Sequence, residues 1–290
     1  MNPVRMYSNG GKMMESRIRL PFSIYLYDGG KTKSLDLEEI AAYLKEKLAK
    51  SKVEVREDFI PFVLNKETTE EKREILQTMA EELAGSKVRS IENKDITFQP
   101  LPAEVNYELR RLGNPELQST GILYDGFRLL SIFTKLIPKD ESNLNHCHII
   151  FTNQLFGTWS EDDLRYHARV AVFGFPSIIS TTGIVEAPAK PREFYLKRQI
   201  GTELFALKEE FKGKFIDYDD ARMTEVMKGY CMQALFFRML GDPFCKDKNC
   251  RLYNAHWQEE VISAQLGAGY EFCNLHEEIL TEAKKGNRLR

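Results

Sequence analysis

Cys245 and Cys250, with four residues between them, lie in LGDPFCKDKNCRLYNAHW. After a gap of 22 residues comes Cys273, and EFCNLH places His276 beyond it with two residues between. The chain has five cysteines, Cys147, Cys231, Cys245, Cys250 and Cys273, and three of them fall in its last 46 residues. In a reducing compartment, closely spaced cysteines are more often metal ligands or buried hydrophobes than disulfides. Zinc takes four soft or borderline ligands in a tetrahedron, and two tight knuckles separated by a helix-length spacer supply them. The spacing predicts one zinc ion on Cys245, Cys250, Cys273 and His276. His256, six residues after Cys250, competes for the fourth corner, but it precedes an apparent helix and has no paired knuckle. The alternative is a set of unrelated core cysteines.

The histidines test for catalysis. A helical zinc peptidase site needs histidines at i and i+4, with a glutamate beside the first as general base. The five histidines are His146, His148, His167, His256 and His276. His276-Glu277 is the sole His-Glu pair, and Leu280 stands four residues beyond His276, so no HExxH occurs. One other set offers an alternative catalytic site. His146 and His148 are two apart on an expected strand and share a face. His167, in RYHARV, begins an expected neighbouring strand. Three neutral imidazoles with an open position would hold a second, catalytic zinc, with Glu161, Asp162 or Asp163 as base or further ligand. The plainer reading is that His146 and His148 cap a strand and bond to backbone. Ser180, Thr181 and Thr182 beside Gly183 either cradle a ligand or form a twisted strand edge. WSEDDLRYHAR reads as a solvated hairpin connection.

The elements that must position these groups alternate. RIRLPFSIYLYDGG reads as a strand ending in a glycine turn, and SLDLEEIAAYLKEKLAK as a helix with Leu37, Ile40, Ala41, Leu44 and Leu48 on one face. KVEVREDFI is expected as a strand, and TTEEKREILQTMAEELAG as a helix with a Thr68–Glu71 capping box and a stop at Gly85. After an irregular, proline-marked region come a helix (GFRLLSIFTKLI) and three strands (HCHIIFTNQL, ARVAVFGF, SIISTTGIV). Two long helices follow, PREFYLKRQIGTELFALKEEF and DDARMTEVMKGYCMQALFFRMLG, the second ending at Gly241; a short helix is expected around HWQEEVISAQL.

Composition bounds the rest. The 290 residues are 42% hydrophobic and 29% charged, a globular mixture able to bury a core. A net charge of −2 gives no electrostatic footprint for nucleic acid, and no apolar run approaches a membrane span. MNPVRMYSNGGKMMESR lacks a hydrophobic signal core, so residues 1–16 are expected to be a flexible leader, with Met13 or Met14 as a possible start, in a cytoplasmic protein. Residues 17–290 are expected to form one α/β (α+β) domain, with an α/β part over 17–241 and a small zinc-stapled C-terminal lobe over 242–290.

The order of long helix, LG, C-x4-C, spacer and FC-x2-ligand resembles the archaemetzincins, a zinc metallopeptidase family. Their helix carries HExxHxxGxxHC, whose cysteine begins a C-x4-C followed by a C-x2-C. Anchored at Cys245, the family glycine falls on Gly241 and the structural cysteines on Cys245, Cys250 and Cys273, with His276 where a fourth cysteine would be. The metal histidines fall on Ala234, Arg238 and Phe244, the glutamate on Leu235, and the turn methionine on Leu252. FSIYLYDGG, HIIFTNQLFGTW and ARVAVFGFPSIISTTGIVEAPAKPREFY are similar to the family's strands. STTGIVEAPAKPREFY and CRLYNAHWQEE also resemble a group of archaeal proteins described as metallopeptidases. The resemblance implies a metzincin-like twisted mixed sheet flanked by helices. It also implies a structural zinc and a dismantled catalytic centre, leaving a module that binds a peptide or protein along the former substrate cleft.

Overall fold

Alternation along SIYLYD sets the layers. In β1 (Ser23–Asp28), Ile24 and Leu26 enter one apolar cluster while Tyr25 and Tyr27 enter another, as side chains two apart on a strand must. The computed structural model describes residues 20–96, 98–114, 117 and 121–285, so the expected leader, residues 1–16, lies outside the described residues.

After β1 come α1 (Leu37–Leu48), β2 (Lys52–Glu57), α2 (Phe59–Leu64), α3 (Thr69–Gly85), α4 (Pro102–Gly113), β3 (Leu123–Asp125) and α5 (Gly126–Leu136). The middle of the chain holds β4 (His146–Thr152), β5 (Leu155–Ser160), β6 (Arg165–Arg169), β7 (Ala171–Val172), β8 (Ser177–Ser180) and α6 (Thr181–Glu186). The last third is helical: α7 (Arg192–Gln199), α8 (Leu204–Glu210), α9 (Met223–Leu240), α10 (Gln258–Ile262) with a π-turn over Ser263–Gly267, and α11 (Asn274–Lys285). The main sheet runs β2-β1-β4-β8-β7, parallel except for β7, and a second sheet runs β3-β5-β6 with β6 antiparallel. The fold is a mixed α/β one, with a mixed sheet between helices.

On one face, Ile24, Leu26, Cys147, Ile149 and Phe151 pack with Leu37, Ile40 and Leu44 of α1 and with Met227, Cys231, Ala234 and Leu235 of α9. The other face joins Tyr25, Tyr27 and Ile150 to Phe59 of α2, Leu83 of α3 and Leu129 and Phe133 of α5. Local signals hold where expected. Asp36 accepts from the Glu39 N–H at 2.9 Å, Thr68 and Glu71 form a capping box, and Gly241 ends α9 at φ 77°, where a side chain would be strained.

Several expectations change. Phe59 and Ile60 leave the strand for α2, and α4 and β3 occupy the region taken as irregular. WSEDDLRYHAR, by contrast, is the hairpin connection expected: Trp159 and Ser160 pair with Tyr166 and Arg165, and residues 161–164 form the exposed turn between them. SIISTTGIV switches from strand to helix at Ser180, whose hydroxyl accepts from the Gly183 N–H at 2.8 Å as the cap of α6. The long helix expected over 191–211 is two, because Gly201 at φ 93° turns the chain between α7 and α8. Cys250, Leu252, Val261, Phe272, Ile279 and Leu280 share the cluster of α1 and α9.

Candidate metal centre

Below Gly241 the chain bends into a knuckle. The Cys245 N–H donates to Leu252 O at 2.8 Å, the Cys250 N–H to Asp247 O at 3.0 Å, and the Asp247 N–H points at Cys245 Sγ at 3.3 Å. These bonds turn both thiols inward. The Arg251 N–H donates to Glu271 O at 2.8 Å and docks the segment EFCNLH beside the knuckle. The Glu277 N–H donates to Cys273 O at 3.0 Å, so Cys273 sits at the entry of α11 and His276 in its first turn.

Four ligand atoms, one each from Cys245, Cys250, Cys273 and His276, lie within 4.8 Å of one another. Cys245 Sγ is 3.8 Å from Cys273 Sγ, Cys250 Sγ is 3.8 Å from His276 Nδ1, and Cys273 Sγ is 3.1 Å from His276 Nδ1. A tetrahedron with metal–sulfur bonds of about 2.3 Å has edges of about 3.8 Å. The cluster could hold one metal ion. Burial pushes the Cys245 thiol up to about 12 and raises that of Cys250, against the pull of the Cys273 and Leu252 N–H groups. Burial lowers His276, which keeps its imidazole neutral and able to ligate. A bound cation would offset the rise of the thiols, because a thiol that coordinates a metal is deprotonated. The Phe236 and His276 rings meet T-shaped with centroids 5.1 Å apart and Phe272 packs on Phe236, a dry wall on that side.

His256 is elsewhere: it is exposed, and its N–H donates to Glu260 at 3.0 Å. His146, His148 and His167 are not gathered. Among the described residues, the Cys/His set is the one group of three or more His, Cys, Asp or Glu placed to share an ion. His167 lies on β6, which pairs with β5 in the second sheet, and its Nε2 meets Asp163 at 2.6 Å. Glu161 pairs instead with Lys94. His146 and His148 do share a face, and their rings stand 6.5 Å apart, but both are bonded to tyrosines.

That tyrosine–histidine arrangement had no local signal. Arg56 donates to Tyr27 Oη at 3.0 Å, Tyr27 donates to His148 Nδ1 at 3.0 Å, and His148 Nε2 donates to Glu141 O at 3.3 Å. Arg56 also forks onto the Glu141 carboxylate at 2.8 and 2.7 Å, closing the ring. Both His148 nitrogens are occupied, and burial pushes the imidazole down to about 4. The parallel pairing of YLY with HCH in β1 and β4 brings these groups together; Arg56 is the register partner of Tyr27 on β2, and Glu141 lies seven residues before His148.

On α9, the face expected to bind metal in a peptidase is apolar. Met227, Cys231, Ala234 and Leu235 are fully buried, and Arg238 donates to His146 O and Asn143 O at 3.3 and 3.4 Å. Ser180, Thr181 and Thr182 bond to the carbonyls of Gln154, Gly30 and Asn153, which fixes the strand–helix turn.

Residues 21–283 match a family described as "Probable metallopeptidase family". None of the curated proteins compared with the chain matches it. Among solved structures, the chain is similar to the crystal structure of archaemetzincin from Methanopyrus kandleri, at 13% identity over 91% of this chain and 94% of that one, with a TM-score of 0.36. A likeness at that score decides nothing about the site.

Proposed function

The chain belongs to this probable metallopeptidase family, and from that premise we propose that it is a non-catalytic member built around a structural zinc ion, serving to bind a peptide or protein. The observation that carries the reading is the state of α9. The helix that the archaemetzincin resemblance would assign to catalysis has Ala234 and Leu235 fully buried in the core and an arginine at position 238. An arginine donates hydrogen bonds and repels a divalent cation, so it cannot stand in for a histidine ligand. The chain contains no HExxH.

Zinc is the ion best suited to Cys245, Cys250, Cys273 and His276. Three thiolates and one imidazole in a closed, tetrahedral, partly buried set are the chemistry of structural rather than catalytic zinc sites. Bound there, the ion supplies a cross-link between the knuckle and α11. The five cysteines are free, which fits a reducing cytoplasm, and no helix among the described residues is long and apolar enough to cross a membrane.

The test is a peptidase assay on unstructured protein substrates with and without chelator. The expected result is no cleavage above background. Chelator-sensitive cleavage that disappears in His148→Ala overturns the reading and restores a catalytic site at His146, His148 and His167.

A further inference from the structure

The strand order of the main sheet reverses between β1 and β4. From β1 the chain runs through α1 to β2 on one side, and from β2 it returns through α2, α3, α4 and α5 to β4 on the other. The segments leaving the carboxyl ends of β1 and β4 part to opposite faces, Leu37 of α1 joining one apolar cluster and Phe156 of β5 the other. Parting segments leave a crevice beyond the strand ends, where open α/β sheets bind small ligands. A cavity of about 50 Å³ lies there, lined in part by Lys31 after β1, Asp58 after β2, Asn153 after β4 and Arg111 of α4. One water occupies about 10–15 Å³ of such space, so the cavity takes about four waters, or a ligand of about five or six non-hydrogen atoms.

The charges around the crevice are divided by sign. On the α4 side, the fully buried Glu108 pairs with both Arg111 at 2.8 Å and Lys87 at 2.7 Å, which leaves an excess of one positive charge. Glu108 accepts from two of the five Arg111 N–H groups, and Gln154, with its amide oxygen turned toward Arg111, accepts from two more. One N–H remains for a carboxylate. On the side of the loops after β1 and β2, Lys31 pairs with Asp58 at 3.3 Å. Asp28 adjoins that pair: burial first and Asp58 second raise its pKa, while Lys31 lowers it. Two carboxylates around one ammonium leave an excess of negative charge. Phe59, Phe133 and Ile150, members of one apolar cluster, supply a dry wall. A simple anion or cation would complement one side and oppose the other, whereas a ligand with both charges complements each.

We propose that this crevice binds a small neutral α-amino acid as its zwitterion, with the ammonium on Asp58, the carboxylate on Arg111 and the Asn153 carboxamide, and the side chain against Phe59 and Ile150. The crevice shares no residue with the metal centre.

Amide NMR of the full chain, titrated with L-alanine to about 50 mM at constant ionic strength, tests this against the two halves of the ligand, acetate and methylammonium. L-Alanine should bind with a Kd on the order of 1 mM and shift the amides of residues 29–31, 58–60 and 152–154 most. Each half should bind at least about 10-fold more weakly, and Asp58→Asn should weaken L-alanine by about 10-fold or more. Asp58 is partly exposed and its side chain makes no capping bond to α2, so the variant keeps its fold. Unchanged affinity in Asp58→Asn overturns the proposal. So does acetate or methylammonium binding as tightly as L-alanine in the wild type, which would make the crevice a plain ion site. Shifts confined to other parts of the chain, or none at about 50 mM, overturn it equally.

Discussion

Replacing His148 with glutamine should flatten the acid limb of the stability curve. His148 is 1% exposed, and burial holds its pKa at about 4, against 6.5 for a free imidazole. The Glu141 carbonyl and carboxylate favour the proton, while Arg56 and His146 oppose it. Above pH 7 the folded and unfolded chains are both neutral at this site, and it adds no pH dependence. As pH falls through 6.5 the unfolded chain takes up a proton that the folded chain refuses, so stability drops until the folded imidazole protonates near 4. A depression of this size corresponds to roughly 3 kcal/mol between neutral pH and the foot of that window. A paired carboxylate away from His148, such as Glu225, which is held low, loses its contribution at still lower pH in both proteins. The difference between wild type and His148→Gln therefore isolates the imidazole. Urea unfolding at half-unit steps from pH 4 to 7.5 should show the two curves diverging, with the wild type losing about 3 kcal/mol more across the window. Parallel curves, or an NMR titration of His148 near 6.5, would refute the buried tyrosine–histidine–arginine ring.

In α9, Gly229→Ala should destabilise despite alanine's better helix propensity. An added Cβ would lie 1.9 Å from Gln265 Oε1, and displacing that side chain breaks its 2.8 Å bond to Arg251 O. A cost of about 1–3 kcal/mol is expected, which thermal unfolding would read as a Tm lower by about 3–10 °C and which Gln265→Ala in the same chain should partly relieve. An unchanged Tm would mean the contact is loose. Cys250→Ser should lower Tm by about 10 °C, because an ion present at a thousand times its Kd contributes about 4 kcal/mol. Chelator should do the same to the wild type and nothing further to the variant. Since Cys250 shares its cluster with α1 and α9, hydrogen exchange should report loss of protection in those helices as well. Loss confined to residues beyond Gly241 would show a separable lobe.

Much of the scaffold was legible because its signals are local. The 3.6-residue period of Leu37, Ile40, Ala41, Leu44 and Leu48, the Thr68–Glu71 box and the Gly241 stop each need only a few neighbouring residues. The Cys/His spacing likewise compresses a three-dimensional cluster into two short motifs. The misreadings have physical causes. Proline opens α4 at Pro102 and reads as a breaker, while the residues this helix buries are Glu108 and Arg111, so no apolar stripe advertises it. Gly201 interrupts a pattern that is helical on both sides, and the β-branched Thr181 and Thr182 disguise the entry to α6. His167 was misplaced because one chain segment serves two sheets: β6 pairs with β5, and β7, two residues on, pairs with β8. Spacing alone cannot reveal that switch.

Zinc content and coordination of the purified full chain bear most directly on the central claim. Elemental analysis combined with X-ray absorption should find one zinc per chain, bound by three sulfurs at about 2.3 Å and one nitrogen at about 2.0–2.1 Å. Loss of the nitrogen contribution in His276→Ala would place that ligand. A metal-free protein, two zinc ions per chain, or a shell of nitrogen and oxygen alone would contradict the account.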